Sequence, residues 1–206
     1  HDSNICGSTY GGPFAHDISA IFPNFDADVN DPESYDFACT DESILTTLEA
    51  DTETFFRLGE SIEHHIKKHH TLPPKDFNKW AKICENVIRH YNEGWADGFE
   101  LGIKYWEIWN EPENPGNKWG KSMWDGTKEE FFDLYKITSK HLKEKFPKIK
   151  VGGYGGCGFY AITRENVPAS RHDFVTYFID FLNMVKTDDC PLDFYSWHIY
   201  TADEKE

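Results

Sequence analysis

The segment Tyr105 to Pro112 carries the residues of this chain that are best suited to acid–base chemistry. It begins with the aromatic and β-branched residues typical of a buried strand, and Pro112 then removes a backbone donor and ends strand pairing. Glu111 is therefore fixed at the carboxyl end of a strand, directly after the amide of Asn110. In barrels of parallel strands, active sites lie at that end, so Glu111 is a candidate catalytic carboxylate, with a simple strand cap as the alternative.

Two charged residues in neighbouring predicted strands are expected to meet in the interior. Arg57 lies in the run Phe55 to Gly59, whose composition predicts a strand, and Glu107 lies two residues before Trp109. Strand alternation turns Arg57 and Glu107 toward the same inward face. Burying either charge alone is costly, so we expect the two side chains to be hydrogen-bonded to each other or to share a partner.

A cluster of histidines around residues 64–70 has the residue types of a metal site. His65 and His69 have the i, i+4 spacing used by metal ligands on helices. No supporting carboxylate or cysteine pattern follows, and Pro73 with its neighbouring proline ends any helix. The preferred interpretation is a solvated basic loop, and no metal site is predicted.

The bulk composition excludes several classes of partner. The chain has 206 residues and a formal net charge of −15. Nucleic acids and anionic membrane surfaces need a positive field, so this charge argues against both and leaves neutral sugars acceptable. An aromatic content of 16 % fits a well-filled core together with stacking surfaces for sugar rings. No run of about 18 apolar residues that could span a bilayer is present. The sequence leaves the oligomeric state open.

The cysteines and the first residue bear on the compartment. The five cysteines are scattered, odd in number and without metal-ligand spacing; they are Cys6, Cys39, Cys84, Cys157 and Cys190. Cys84 lies on an apolar helix face and is predicted to be in the core. Free thiols lean towards a reducing, cytoplasmic setting. The chain begins at His1 without a Met, so the lack of a visible signal peptide does not exclude secretion.

Strand-like and helix-like segments alternate along the chain, which predicts a parallel sheet with right-handed crossovers. Strands are predicted at about 55–59, 103–111, 150–153 and 192–199, and helices at about 40–50, 75–91, 127–146 and 172–186. Residues 1–25 are predicted to be a loop that begins at the end of an earlier strand. We expect an α/β fold that is part of a (β/α)8 TIM barrel, about strands 2–6, because a whole barrel needs eight strands and ~250 residues. A self-contained open α/β sheet is the alternative.

Five segments, in order and at matching spacing, resemble glycoside hydrolase family 39, the β-xylosidase and α-L-iduronidase family. They are Phe-Arg-Leu-Gly-Glu-Ser-Ile-Glu at 56–63, Trp-Asn-Glu-Pro at 109–112, Gly-Thr-Lys-Glu-Glu-Phe-Phe-Asp-Leu-Tyr at 126–135, Val-Gly-Gly at 151–153 and Leu-Asp-Phe-Tyr-Ser-Trp-His-Ile-Tyr at 192–200. The resemblance implies that residues 1–206 are a single catalytic-domain fragment. It also implies retaining hydrolysis of glycosidic bonds, most specifically of β-xylosides or xylo-oligosaccharides, without a cofactor.

The resemblance also assigns roles to individual residues. Glu111 matches the general acid/base, and Asn110 matches the amide that hydrogen-bonds the sugar 2-hydroxyl. His198 matches a sugar-contacting histidine and Tyr200 a tyrosine that supports the nucleophile. His1 matches a further position that contacts the sugar. One carboxyl group can serve both steps of a retaining reaction, because it first protonates a leaving oxygen and later deprotonates water.

The family's nucleophile is a glutamate at the end of strand seven, which this chain does not contain. We therefore expect it to lie outside the chain, and we expect the 206 residues alone not to hydrolyse aryl β-xylosides. Glu60 and Glu63 are interpreted as loop or rim carboxylates, because their strand adjoins the strand of Glu111 instead of facing it. Two alternatives stay open: a non-catalytic carbohydrate-binding pseudoenzyme, and an α-L-iduronidase-like enzyme, which the acidic loops disfavour.

Overall fold

The computed structural model describes residues 16–60, 70–114, 123–158 and 172–198. Within these ranges the strands are β1 (Phe55–Leu58), β2 (Tyr105–Ile108), β3 (Lys150–Gly156) and β4 (Phe194–Trp197). The helices are α1 (Ile18–Ile21), α2 (Ala38–Glu49), α3 (Phe77–Glu93), α4 (Lys128–Lys145) and α5 (His172–Thr187), and a 3-10 turn covers Pro32–Ser34. The helices α3, α4 and α5 each connect two successive strands.

The four strands form one sheet in the order β1-β2-β3-β4, and all three neighbouring pairs are parallel. Consecutive strands are therefore adjacent in space, with a helix in each connection. This confirms the parallel α/β arrangement predicted from the sequence. No helix in the described ranges is long and apolar enough to cross a membrane.

Several element boundaries differ from the predictions; β3, for example, extends to Gly156 instead of ending near residue 153. Residues 1–25 were expected to be a loop, but α1 forms within them; His1 lies outside the described residues. The helix α2 begins at Ala38 and not near residue 40; its N-cap residue is Phe37, and the Asp36 side chain accepts the Ala38 N–H at 3.2 Å. The strand predicted at 103–111 is shorter, since Trp109 has a left-handed φ of 69° that ends strand pairing after Ile108.

The outward faces of the strands form the core together with the helices. Trp106 and Ile108 of β2 are fully buried and belong to one apolar cluster with Val87 of α3 and Leu134 of α4. Cys84, on the same face of α3 as Val87, is also fully buried, as predicted. The sheet is therefore anchored to α3 and α4 on one side, which leaves its other side to carry polar chemistry.

A capping box fixes the start of α4, and a side-chain contact joins α4 to α3. Thr127 and Glu130 form a capping box, with each side chain hydrogen-bonded to the other residue's backbone N–H. Farther along α4, the ring of His141 contacts the Glu85 carboxylate of α3 at 2.6 Å. These contacts hold α4 against α3 and so support the connection between β2 and β3.

The inward face of the sheet is layered from the amino to the carboxyl ends of the strands. The layers are aromatic (Phe55, Tyr105 and Phe194), then charged and polar (Arg57, Glu107 and Ser196), then the end layer (Glu111 and His198). The aromatic rings pack with centroids 5.0–5.9 Å apart. Polar groups are thus concentrated toward the carboxyl ends of the strands, where the sequence placed a site.

Candidate active site

Glu111 leaves the end of β2 through a distorted turn. Trp109 and Glu111 both have left-handed backbones, with φ of 69° and 46°, a conformation that costs non-glycine residues of order 1–2 kcal/mol each. The Trp109 N–H donates to the carbonyl of Leu58 at 2.8 Å, and the Glu111 N–H donates to that of Tyr154 at 3.1 Å. Bonds to both neighbouring strands therefore hold Glu111 in a fixed direction at the carboxyl end of the sheet.

The Glu111 carboxylate is buried and bonded through both oxygens. Its Oε1 lies 2.6 Å from Nδ1 of His198, and its Oε2 accepts from the Asn114 amide at 3.1 Å. Only 5 % of the residue is exposed. The sequence predicts that Asn110, Glu111, His198 and Tyr200 converge on one cleft; the structure brings Glu111 and His198 together, and Tyr200 lies outside the described residues. Asn114 was not singled out in the sequence, although its position three residues after Glu111 suits a turn contact.

Arg57 determines which nitrogen of His198 carries the proton. Its Nη2 lies 3.2 Å from Nε2 of His198. A guanidinium can only donate hydrogen bonds, so Nε2 must accept. The proton of the neutral ring is then on Nδ1, where it is donated to Glu111. His198 therefore connects a cation on β1 with the carboxylate that follows β2.

Arg57 is itself fixed by Glu107, as strand alternation predicted. The two residues are register partners in β1 and β2, and the guanidinium Nε donates to the Glu107 carboxylate. Ser196 of β4 donates to the other Glu107 oxygen at 2.5 Å and accepts the Gly155 N–H at 3.0 Å. The predicted pair is confirmed, and the structure adds Ser196 as a third member. We call Arg57, Glu107, Ser196, His198 and Glu111 the inner-face network.

This environment decides the charge of Glu111. Burial acts to raise the pKa of Glu111, but the contacts with His198, the Asn114 hydrogen bond and the positive charge of Arg57 outweigh it. The net result is a pKa below the ordinary value for a glutamate. In the unliganded site the carboxylate form of Glu111 is therefore favoured, which is the form that a general base requires.

Asn110 is buried beside Glu111, and its amide has no hydrogen-bond partner within the described parts of the chain. Both Nδ2 and Oδ1 are enclosed and unpaired. Gly155 is the neighbour that leaves room here: with a φ of 61°, it would carry a Cβ only 3.4 Å from both Asn110 Oδ1 and the His198 ring. An unpaired buried amide is costly, so a ligand group that bonds to it would be strongly favoured.

Glu113 is a second buried carboxyl group on the same loop, and sequence analysis missed it. The Cys157 N–H donates to its Oε1 at 2.6 Å, whereas its Oε2 is enclosed and has no hydrogen-bond partner among the described residues. Burial, reinforced by the negative charge of Glu111, raises the pKa of Glu113 to about 8. Its position directly after Pro112 gave no strand or helix pattern that could have revealed this environment.

Glu60 was interpreted as a loop or rim carboxylate; it lies in the loop after β1, but it is buried and not on an exposed rim. Only 6 % of the residue is exposed, and its carboxyl group accepts hydrogen bonds from the hydroxyl and N–H of Ser19 at 2.6 and 3.3 Å. Burial and the nearby charge of Asp17 raise the pKa of Glu60. It lines an aromatic cleft of about 340 Å³, which includes Trp109 but neither Glu111 nor His198. Glu60 is therefore separate from the inner-face network.

Some predicted positions lie outside the described residues. These are His1, Tyr200, Glu63, and the histidines His64, His65 and His69. Within the ranges that the structure describes, no group of three histidine, cysteine or acidic residues could hold a metal ion. The described cysteines, Cys39, Cys84, Cys157 and Cys190, are free thiols.

Comparison with known proteins identifies related sequences across the chain. The model of the family described as glycosyl hydrolases family 39 matches residues 12–206. A β-xylosidase of Geobacillus stearothermophilus is 34 % identical over 137 residues, which are 66 % of this chain and 23 % of that protein. A β-xylosidase of Caldicellulosiruptor saccharolyticus is 27 % identical over 196 residues, which are 91 % of this chain and 35 % of that protein.

The fold is also similar to that of solved enzymes. A glucosidase from Croceicoccus marinus superposes with a TM-score of 0.70 and 28 % sequence identity, over 89 % of this chain and 35 % of that chain. The four parallel strands and their helices are accordingly a segment of a (β/α)8 barrel. The chain spans about a third or less of the length of these relatives.

Proposed function

The chain belongs to glycosyl hydrolases family 39, and on that premise we propose that it supplies the acid/base side of the active site in a retaining glycoside hydrolase that acts on β-xylosides. The observation that carries the proposal is the placement of Glu111. Its carboxyl group is buried at the carboxyl end of the sheet, bonded to His198 and adjacent to the unpaired amide of Asn110. Two relatives named as β-xylosidases support the choice of sugar.

In the first step, a carboxylate nucleophile attacks the anomeric carbon and the bond to the leaving oxygen breaks. Glu111 gives its proton to that oxygen, so the leaving group departs as a neutral alcohol. The nucleophile must approach to ~5–5.5 Å of Glu111 in a retaining enzyme. We propose that it comes from outside the described residues. Its negative charge would raise the pKa of Glu111 and so favour the protonated acid before the sugar is attacked.

In the second step, water attacks the anomeric carbon of the glycosyl-enzyme, the bond from that carbon to the nucleophile's oxygen breaks and releases its carboxylate, and Glu111 accepts the proton of the water. Before that bond breaks, the nucleophile is esterified and uncharged, so its influence on Glu111 is gone. His198, Asn114 and Arg57 then favour the carboxylate form, because together they lower the pKa of Glu111. The same network therefore supports the base step, whereas the free nucleophile supports the acid step.

Asn110 is proposed to bind the 2-hydroxyl of the sugar. Its amide offers one acceptor and two donor hydrogens, and neither of its polar atoms has a partner in the described structure. A hydrogen bond to the 2-hydroxyl that strengthens in the transition state would contribute several kcal/mol in glycosidases of this type. We also propose that Tyr200 supports the nucleophile and that His1 contacts the sugar.

The test uses the complete polypeptide that contains this chain, an aryl β-xyloside and NMR detection of the first-formed anomer. We expect retention of the β configuration. Glu111→Ala should lower kcat by about 10²–10⁴-fold with substrates that have poor leaving groups. With an activated leaving group the acid is dispensable, so added azide should restore turnover and give the β-xylosyl azide.

A matched control is Glu85→Gln, since Glu85 is a buried carboxylate on α3 that is paired with Lys82 and His141, away from Glu111. It should keep the wild-type pH profile. Binding of xylose without hydrolysis would identify a carbohydrate-binding pseudoenzyme and contradict the proposal. Faster turnover of glucosides or of uronic acid glycosides than of xylosides would retain the mechanism and replace the substrate.

A further inference from the structure

Glu113 lies on the loop that carries Glu111, and the proposed mechanism does not use it. Its Oε1 accepts the N–H of Cys157, at the end of β3, at 2.6 Å. The adjacent residue, Asn114, donates to Oε2 of Glu111 at 3.1 Å. The backbone from Glu111 to Asn114 is thus fixed at one end by β3 through Tyr154 and near the other end by Cys157. A shift of Glu113 would be transmitted directly to the hydrogen bond that orients Glu111.

The described surroundings of Glu113 are rich in phenols. The interacting side chains are Tyr154 of β3, Tyr177 of α5 and Tyr195 of β4. The other titratable groups that act on Glu113 are Glu111 and Cys157, and Glu129 of α4 acts on Tyr177. Within the described residues, no lysine, arginine or histidine forms an ion pair with Glu113. The enclosed Oε2 has no hydrogen-bond partner.

A carboxylate in such a setting is strongly disfavoured. It would be desolvated, it would face the charge of Glu111, and no opposite charge would compensate it. A neutral carboxylic acid avoids all three costs and still accepts the Cys157 N–H through its carbonyl oxygen. The pKa of Glu113, raised to about 8 by burial, agrees with this geometric argument.

We propose that Glu113 is a positioning residue for Glu111: as a neutral carboxylic acid it fixes the loop after β2 to the end of β3, and its ionisation in mildly alkaline solution loosens that connection. The inference rests on the proposed role of Glu111 for its effect on catalysis. The protonation of Glu113 itself does not depend on that role. The two parts can therefore be tested separately.

The protonation is tested by infrared difference spectroscopy on the complete protein. The spectrum of wild type minus Glu113→Gln at about pH 6, where a free glutamate would be ionised, should contain the C=O band of a protonated carboxylic acid. That band should disappear as the pH is raised through about 8. The control is Glu85→Gln: the hydrogen bonds and charges of Lys82 and His141 outweigh burial and lower the pKa of Glu85. Its difference spectrum should show carboxylate bands only.

The positioning role is tested by kinetics on an aryl β-xyloside. Glu113→Ala removes the acceptor for the Cys157 N–H and should lower kcat roughly tenfold with little change in KM, since misplacing a catalytic group mainly affects the chemical step. Glu113→Gln keeps a neutral acceptor and should recover most of that loss. Above about pH 8, the wild type should lose activity more steeply than Glu113→Gln.

Each outcome decides one part. Carboxylate bands for Glu113 at about pH 6, or equal losses of kcat in Glu113→Ala and Glu113→Gln, would overturn the inference even if xyloside hydrolysis is normal. A protonated band together with the absence of any hydrolysis by the wild type would leave the neutral acid in place and overturn the proposed function. If the activities of wild type and Glu113→Gln fall in parallel as the pH rises, the link between ionisation of Glu113 and activity is refuted.

Discussion

Glu107 and Glu113 lie on either side of Glu111 in the sequence, and the protein surrounds them in opposite ways. Glu107 is 2 % exposed, and both of its oxygens are bonded, one to the Arg57 guanidinium and the other to the Ser196 hydroxyl. Glu113 has one bonded oxygen and one unpaired oxygen in a pocket of tyrosines, and burial raises its pKa to about 8. The difference shows that the available partner, and not burial as such, decides the charge of a buried carboxyl group.

Glu111 lies between these two environments and is influenced by both. The inner-face network reaches it through His198 and favours its carboxylate form. On the other side, Glu113 is kept neutral and so adds no second negative charge beside it. A residue that must be an acid in one step and a base in the next benefits from surroundings that do not fix its charge too firmly. The comparison therefore concerns catalysis as well as stability.

The largest expected effect is a loss of stability in Glu107→Gln. The substitution removes the charge that pairs with the buried Arg57 guanidinium, and breaking such a buried pair typically costs ~3–5 kcal/mol in the free energy of unfolding. Glu85→Gln is the matched control, because the partners of Glu85, Lys82 and His141, are 29 % and 27 % exposed, and it should cost about 1 kcal/mol or less. Urea denaturation of the complete protein, followed by tryptophan fluorescence, measures both. Equal losses of unfolding free energy in the two variants would mean that the burial of Arg57 does not make the Glu107 pair more important than the pairs of Glu85.

The next effect is on the pH dependence of activity when His198 is replaced by Gln. Removing its contact should raise the pKa of Glu111, because His198 is the first of the partners that lower it. The alkaline limb of the pH profile of kcat/KM should therefore move to higher pH. The maximum of kcat/KM should fall about ten- to a hundredfold, which corresponds to a rise of ~1.4–2.7 kcal/mol in the activation free energy. Glu85→Gln, whose pair includes His141, should keep the limb in place. A limb that moves to lower pH would show that His198 does not stabilise the carboxylate.

The same logic applies to stability at acid pH. Since the folded-state pKa of Glu111 lies below its unfolded value, the stabilisation from His198 is present above the unfolded pKa and is lost as the pH falls through the folded pKa. His198→Gln should weaken that dependence. Denaturation midpoints of wild type and variant should therefore converge as the pH is lowered, and midpoints that diverge would contradict the assignment.

Much of the inner-face network could be predicted from the sequence, because its placement depends on strand composition and strand alternation. The composition of the strands placed Glu111 at a strand end, and alternation of period two placed Arg57 and Glu107 on one inward face. Register between adjacent parallel strands then brought the pair together. His198 joined the site because its strand was expected to end at the same edge of the sheet as that of Glu111.

The surroundings of Glu113 and Glu60 and the turn after β2 could not be predicted in this way. The pocket of Glu113 is assembled from tyrosines on β3, α5 and β4, so no local pattern around Pro112 indicates it. Positive φ angles are usually predicted from glycine, and neither Trp109 nor Glu111 is a glycine, so their left-handed backbones could not be predicted. Glu60 was interpreted as a loop or rim carboxylate because its strand adjoins that of Glu111, and this argument could not show its hydrogen bond to the distant Ser19. These features come from tertiary packing, which single-sequence reasoning does not reach.

A smaller effect distinguishes Glu113 by the pH dependence of stability. Its pKa is about 8 in the folded protein against 4.5 for an unperturbed glutamate. Between these values the folded state binds more protons than the unfolded state, so this group makes stability fall as the pH rises. Relative to Glu113→Gln, the wild type should lose on the order of 1–2 kcal/mol across that range, a value reduced for the partial exposure of the residue. A wild-type curve parallel to that of the variant would place Glu113 among the ionised carboxylates.

The smallest effect is expected from removing a hydroxyl group among the tyrosines around Glu113. The Tyr177 Oη is buried without a hydrogen-bond partner, so Tyr177→Phe removes an unsatisfied polar atom and should change the free energy of unfolding by less than about 0.5 kcal/mol, or stabilise the protein slightly. Tyr135→Phe is the matched control, since the Tyr135 hydroxyl donates to the carbonyl of Pro191 at 3.0 Å, and its removal should cost about 1 kcal/mol. Both rings belong to the same aromatic group around Phe181, so packing losses are comparable. If Tyr177→Phe costs as much as Tyr135→Phe, the Tyr177 hydroxyl has a partner after all, and a protonated Glu113 is the first donor to examine.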